Sequence, residues 1–335
     1  PLKDKNTIYS PDVIDFARKQ GYFSGKDKDF DFSLAYAVTD AGALRGCDAR
    51  VWAYFRRFAP QAEIDAYIPW IMEGKGEPMP LWVKPVKPLT ANDLKSMMRD
   101  HFEGTHLDMT KDIGAGPFEC PYRWRPMGYT VDGQEYTHER AIATQQTGFS
   151  FVADMNKARH DAMRGILWFG VDDANTCVYL PVFNSTDTVP RALDGHADLY
   201  TLSWDAMFWV NNYVANQAYN RYSQMIPDIR RVQGALEQQI GDDVAKAVAE
   251  GASQDALREL TMHWASKATA DYKQLGDYLF VKYLDGNIKK EADGKFARTA
   301  DGMPEQPVFG GYNERYFRSI VEDAGERLKV PEIKL

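Results

Sequence analysis

The densest run of chemically capable side chains is Arg99-Asp100-His101-Phe102-Glu103-Gly104-Thr105-His106-Leu107-Asp108, with Lys111 and Asp112 just beyond. Imidazoles and carboxylates this close together suit a metal site or acid–base work. A helical zinc site, however, sets two histidines four apart with a glutamate beside the first. Here the histidines are five apart with Gly104 between them, so no metal is assigned. The plainer reading is a helix end whose polar side chains satisfy the last backbone groups and the loop, and a binding loop at that terminus lies between the two. A second run, Gly114-Ala115-Gly116-Pro117-Phe118-Glu119-Cys120-Pro121-Tyr122-Arg123-Trp124-Arg125-Pro126, lacks the strand–turn–helix setting and the Lys-Ser/Thr ending of a phosphate cradle. It reads as a rigid aromatic loop in which Arg123 and Arg125 flank Trp124, able to stack on a ring or clamp a carboxylate. A third run, Glu139-Arg140-Ala141-Ile142-Ala143-Thr144-Gln145-Gln146-Thr147-Gly148-Phe149, puts polar residues where a central strand needs apolar alternation. Such conflicts concentrate at functional sites, the alternative being an edge strand with solvated Thr and Gln. No Gly-x-Ser-x-Gly elbow occurs, the 6 histidines single out no Ser/His/Asp or Cys/His pairing, and nothing calls for a cofactor.

The elements that must hold these runs follow from punctuation and periodicity. Ser10-Pro11-Asp12 opens a helix over about 11–20 that Gly21 ends. A second helix over about 46–58 carries Val51, Tyr54, Phe55 and Phe58 on one stripe. Prolines from Pro60 to Pro88 predict an irregular connection bearing Trp70 and Trp82, after which Thr90 caps a helix over about 91–101. Asp132-Gly133 marks a hairpin joining 128–131 to 134–137. Further strands are expected at 141–144, 148–153, 165–171 and 176–183, making an antiparallel sheet. Helices then run over about 204–223, 227–250 and 254–284, broken at Pro227 and Gly251. Ile166-Leu167-Trp168-Phe169 is apolar on both faces, so both faces of its sheet need covers. The C-terminal helices can supply one; the other is expected from residues outside this chain.

Composition narrows the function classes. With 335 residues, 44% of them hydrophobic, the chain can bury a sizeable core. It has 40 Lys+Arg against 48 Asp+Glu, a net charge of -8, without the basic footprint of a nucleic-acid binder. No run of about 18 apolar residues suggests a membrane span. Cys47, Cys120 and Cys177 form no C-x-x-C pair and no disulfide framework. They fit a cytoplasmic, periplasmic or secreted setting alike, and self-association stays open. The first residue is Pro1 rather than methionine, so the chain is expected to be trimmed or excised from something longer.

Taken together, the first two runs resemble the dipeptidase A family of cysteine peptidases, relatives of the secernins. The likeness continues through Glu139-Arg140, Thr144–Phe151, Gly165–Asp173, Ser203-Trp204-Asp205 and Tyr222–Arg230, covering about Gly46 to Gly286. The resemblance implies an α+β protein: part of a four-layer αββα N-terminal-nucleophile hydrolase sandwich with a helical C-terminal region. Residues 1–200 would belong to the hydrolase domain and 201–335 would form the helical region packed on it. In such enzymes the first residue of the mature chain is a cysteine whose thiolate attacks the peptide carbonyl. Its own α-amine, titrating near ~8, serves as base. Pro1 has neither thiol nor hydroxyl, and the three cysteines present have their amines in peptide bonds.

The expectation is therefore a cysteine dipeptidase of which this chain is the C-terminal part, the nucleophile lying on a segment or chain upstream of Pro1. The alternative is a non-catalytic peptide-binding or scaffold protein retaining the fold. The resemblance puts Arg140 in the role of the strand arginine that orients the nucleophile, with Gln145, Gln146 and Thr147 lining the pocket. On charge, a dipeptide's free amino end would meet Glu103, Asp108 or Asp172, and its carboxylate Arg123.

Overall fold

A computed structural model describes residues 8–37 and 39–332. They form two compact units: the chain up to Val86 with Gly128–His138, and Lys87–Met127 with Glu139 onward. Among the described residues no helix is long and apolar enough to cross a membrane.

In the first unit, helix α1 (Val13–Gln20) buries Ile14 and Ala17 and ends at Gly21, whose φ of 76° makes the left-handed cap. Helix α2 (Ala49–Phe58) follows a turn of wider helix at Leu44–Asp48 and buries Ala49, Trp52, Ala53 and Phe58. Its inward stripe differs from the expected one: Val51 faces out, because the small Ala49 and Ala53 leave room for Trp52. The proline-rich segment is less irregular than expected at its start, with short helices Gln61–Asp65 and α3 (Ile68–Glu73), the latter taking Pro69 in its first turn, where no N–H is needed. Beyond Gly74 the chain is irregular and leaves Leu81, Trp82 and Val86 exposed. Strands β1 (Gly128–Val131) and β2 (Gln134–Thr137) form the expected hairpin. Asp132 and Gly133 both have positive φ, 50° and 79°, as a tight hairpin turn twisted to match its strands requires.

The second unit is a three-stranded antiparallel sheet with helices on it. Helix α4 (Ala91–Met98) opens with a full capping box, Thr90 and Asp93 each bonding the other's backbone N–H. Strands β3 (Phe149–Met155), β4 (Gly165–Val171) and β5 (Leu180–Phe183) lie in the order β3-β4-β5. The expected strand at 141–144 is a loop: Ala143 N–H donates to the Asp100 carbonyl and Thr147 N–H to Thr144, so no edge is left to pair. Residues 176–179 also stay outside the sheet, since Thr176 and Cys177 N–H both turn back onto the Asp173 carbonyl. The 128–137 hairpin is a separate ribbon, not part of this sheet. Helices α5 (Met207–Asn220), α6 (Tyr222–Glu250) and α7 (Gln254–Lys282) follow, then α8 (Glu314–Ala324). Pro227 lies inside α6 instead of separating two helices; Arg221, with non-helical backbone, marks the break.

Strand alternation divides the sheet's residues between two unequal faces. Val152, Ile166, Trp168 and Phe183 pack into one core with Val210 and Val214 of α5, Ile229, Leu236 and Ile240 of α6, and Leu257, Ala265 and Leu275 of α7. On the opposite face Phe149, Phe151 and Met155 are 60%, 47% and 76% exposed, while Leu167, Phe169, Val171 and Val182 are half-buried. The Phe149 and Phe169 rings stack there at 5.8 Å. Within this unit the helices thus cover one face of an apolar sheet.

Two glycines with opposite surroundings test the packing. A Cβ on Gly170 would meet Cys177 Sγ at 2.7 Å and the Tyr179 ring at 3.1 Å, so Gly170→Ala is expected to cost about 1–3 kcal/mol. A Cβ on Gly234 in α6 meets nothing within 4 Å, so Gly234→Ala should stabilise by up to about 1 kcal/mol. Urea unfolding midpoints of the two variants should move in opposite directions.

Candidate functional site

Strand β4 runs straight into Asp172-Asp173, and the polar side chains of the second unit gather around this turn. Asp172 sits at a φ of 67°, its N–H donating to the Gly148 carbonyl at 2.8 Å. Asp173 is fully enclosed and collects donors: Thr176 N–H at 3.1 Å, Thr176 Oγ1 at 2.9 Å, Asn175 N–H at 3.3 Å and the Tyr219 hydroxyl at 3.1 Å. Tyr219 Oη also meets His101 Nε2 at 3.1 Å, and His101 Nδ1 faces Glu103 Oε1 at 3.2 Å. With Tyr219 donating to Asp173, both ring nitrogens of His101 face oxygens, Tyr219 Oη on one side and Glu103 Oε1 on the other. The run from Arg99 to Asp108 is thus a helix end, as read, and its imidazole also joins a relay leading from the half-exposed Glu103 to the buried Asp173.

A second chain of bonds runs along α5. Gln145 Nε2 donates to Asn216 Oδ1 at 3.0 Å, Asn216 Nδ2 to Asn212 Oδ1 at 2.6 Å, and Asn212 Nδ2 to Asp172 Oδ1 at 3.0 Å. Three buried acceptors around it have no donor among the described residues: Gln145 Oε1, Asp172 Oδ2 and Asn211 Oδ1. Burial pushes the Asp172 carboxyl up to about 7; the bond from Asn212 works against this and the Asp173 charge adds to it. Burial also raises Asp173, against the opposing pull of His101 and its hydrogen bonds. Glu103 goes the other way: desolvation pushes it up, but hydrogen bonds and charge from His101 prevail and hold it at about 2. Two neighbouring carboxyls at the end of β4 are thus shifted up, and the one nearer the surface is shifted down.

A small hollow of about 10 Å³ is lined by Arg123, Arg125, Glu139, Arg140, Thr144 and Gln146 among others. Arg123 is buried and committed, its guanidinium bonding Asp112 and Glu139. Arg125 Nε donates to Gln146 Oε1 at 2.9 Å. Arg140 is exposed and makes no ion pair among the described residues. Asp108 accepts from Gly104 N–H, Thr110 N–H and Thr110 Oγ1, which makes it the clasp of its own loop. Thr147 Oγ1 closes a turn onto the Thr144 carbonyl.

Of the residues singled out from sequence, Arg123, Arg140 and Gln146 share the hollow, and Gln145 and Asp172 share the α5 chain. Sequence reading missed Asp173, His101 joined to Tyr219, and the asparagines of α5. The last had a signal: Asn212, Asn216 and Asn220, four apart, make one amide stripe on a helix otherwise rich in apolar residues. Among the described residues no group of three or more His, Cys, Asp or Glu side chains is placed to hold a metal ion. Cys47 is exposed, whereas Cys120 and Cys177 are buried. Burial pushes the Cys120 thiol to about 11 and Cys177 still further, so neither is a ready thiolate.

The family model of peptidase family C69 matches residues 2–235. A probable dipeptidase of Salmonella dublin is 28% identical over 108 residues, 32% of this chain and 23% of its own length. A probable dipeptidase of Latilactobacillus sakei is 24% identical over 230 residues, 66% of this chain and 42% of its own. The chain spans less than half the length of these curated relatives.

The raised Asp172 carboxyl fixes the sign of a pH effect. The folded state keeps this proton up to about 7, whereas an unfolded aspartate releases it near 3.9. The folded state therefore binds more protons in between, and Asp172 makes stability fall as pH rises across that window. Asp172→Asn lacks this loss. Urea unfolding from pH 4 to 8 should show the variant gaining on the wild type as pH rises; a gap that stays flat means Asp172 ionises as freely folded as unfolded.

Proposed function

The chain belongs to peptidase family C69, and from that premise we propose that it forms the C-terminal, substrate-holding part of a cysteine dipeptidase whose nucleophile sits on a segment upstream of Pro1. The observation that carries this reading is the bare apolar face of β3-β4-β5, which runs up to Val171, one residue before the buried Asp172. A second sheet laid on Phe149, Phe151 and Phe169 would complete the four-layer αββα sandwich and bring its own leading residue to the end of β4. The cysteines of this chain favour the same reading, because none has a free α-amine and the two buried thiols resist ionisation.

In this mechanism the upstream cysteine sulfur attacks the peptide carbonyl carbon while its α-amine takes the thiol proton. The tetrahedral adduct expels the second amino acid, whose nitrogen receives that proton, and water then hydrolyses the thioester. The orienting role falls to Arg140, whose guanidinium is uncommitted, whereas Arg123 is held by Asp112 and Glu139. The substrate ammonium needs acceptors without donors, and Asp172 Oδ2 and Gln145 Oε1 are such atoms. Glu103, charged and half-exposed, is the outer alternative. The substrate carboxylate meets the cationic edge formed by Arg125 and Arg140, with Gln146 on the same wall.

The test uses the full-length protein with its native upstream segment. N-terminal sequencing should find a chain beginning with cysteine, and a dipeptide panel should show turnover. Arg140→Ala should lower kcat by about 100-fold or more with an unchanged urea midpoint. A full-length protein that binds dipeptides and cleaves none would overturn the enzymatic reading in favour of a peptide-binding scaffold, and unchanged turnover in Arg140→Ala would remove that residue from the site.

A further inference from the structure

On the helix-covered side of the sheet, away from Asp172 and the hollow of Arg140, lies a cleft of about 540 Å³. Its walls are apolar where Ile166 and Trp168 of β4 face Val244, Ala245 and Val248 of α6. Lys95, in the last turn of α4, reaches into it. Only 4% of this lysine is exposed, and its ammonium lies 3.4 Å from the centre of the Trp168 ring. It makes no hydrogen bond and no ion pair among the described residues. A lysine buried without a carboxylate partner is the exception in folded proteins, because desolvation penalises the charge.

The acids nearby make no ion pair with it, since each is taken by another donor. Asp154 of β3 accepts from Arg159 at 2.9 Å. Glu237 of α6 accepts from Arg99 at 2.5 Å and from Tyr179 N–H at 3.1 Å. Asp242 of α6 accepts from Gln238 at 2.8 Å. The Trp168 ring provides cation–π attraction, and the charge of Arg99, just past the end of α4, opposes that of Lys95. The balance is a side chain that gives up its proton easily: burial brings the amine down to about 8, with Glu237 and Asp154 pulling it up and Arg99 pushing it down.

We propose that Lys95 is a reactive amine in a ligand cleft of its own, able to form an imine with a small aldehyde or ketone bearing an apolar body. The neutral Nζ lone pair attacks the carbonyl carbon and a C–N bond forms. The nitrogen passes a proton to the oxygen, and the carbinolamine loses water to leave the imine, with no net oxidation or reduction. The ligand's apolar body lies between Trp168 and the Val244–Val248 wall, taking the place of water that this surface holds poorly. Nothing in this step uses the peptidase site, so the two stand or fall separately.

The experiment is reductive amination of the native protein with benzaldehyde and cyanoborohydride, read lysine by lysine by mass spectrometry between pH 6 and 10. At pH 7.5 Lys95 should be benzylated about 10-fold faster than the exposed Lys157 and Lys246, because a larger share of it is neutral. Its rate should level off near pH 8 while theirs continue to climb, and it should saturate with benzaldehyde concentration while theirs stay linear. Asp154→Asn, which removes one acid facing Lys95, should move the levelling point to lower pH, and Lys95→Arg should abolish the fast site without changing Lys157. Modification of Lys95 at or below the rate of the exposed lysines, or only after unfolding in guanidinium, would overturn the proposal.

Discussion

Two adjacent carboxylates, Asp172 and Asp173, are each about 1% exposed at the end of the central strand. Removing both from water is tolerable only if donors or protons replace the solvent, and much of the second unit is arranged to supply them. Thr176 and Asn175 wrap back over Asp173, which is why the chain leaves the sheet register before β5. Tyr219 of α5 reaches the same carboxylate and passes the contact on to His101, which ties the end of α4 to the helix covering the sheet. Asn212 of the same helix holds Asp172. One turn therefore fixes where two helices and two strands meet, and it leaves Asp172 with one oxygen unfilled.

The buried polar cluster has a counterpart in what stays uncovered. An apolar sheet gains stability from a layer on each face, yet here Phe149, Phe151 and Met155 have solvent on one side. The bare face and the unfilled acceptors adjoin at the junction of Val171 and Asp172. A further layer on that face would add hydrophobic burial and a group able to donate to Asp172 in one step. The Lys95 cleft, on the covered side, shows the opposite imbalance: a donor without an acceptor, beside acids already engaged.

Much of the local structure was legible in the residues. Thr90 announced a helix cap, Asp132-Gly133 a hairpin, and Gly21 a helix stop, because each depends on backbone conformations that a few side chains decide. Other readings failed where a distant partner outweighed local preference. Ala141-Ile142-Ala143-Thr144 has strand composition but bonds Asp100 and itself. Pro227 breaks helices on average, yet falls early enough in α6 to be carried by the packing of Met225 and Ile229 on either side. The stripe on α2 was misread because alanines, not the larger residues, let Trp52 in.

For the site, the sequence by itself determined which chemical groups are present and which are missing. It held the arginines of the Arg123–Arg140 stretch and the Asp-Asp pair. Residue types and spacing also carried the family likeness. Only the tertiary structure decided which of those groups remain available. It committed Arg123 to two carboxylates and left Arg140 uncommitted, closed Asp108 into its own loop, and buried Asp172 beside amides from a helix forty residues away. The reason is physical: hydrogen bonds and desolvation depend on through-space distances of a few ångströms, and sequence separation does not report those until the chain is folded.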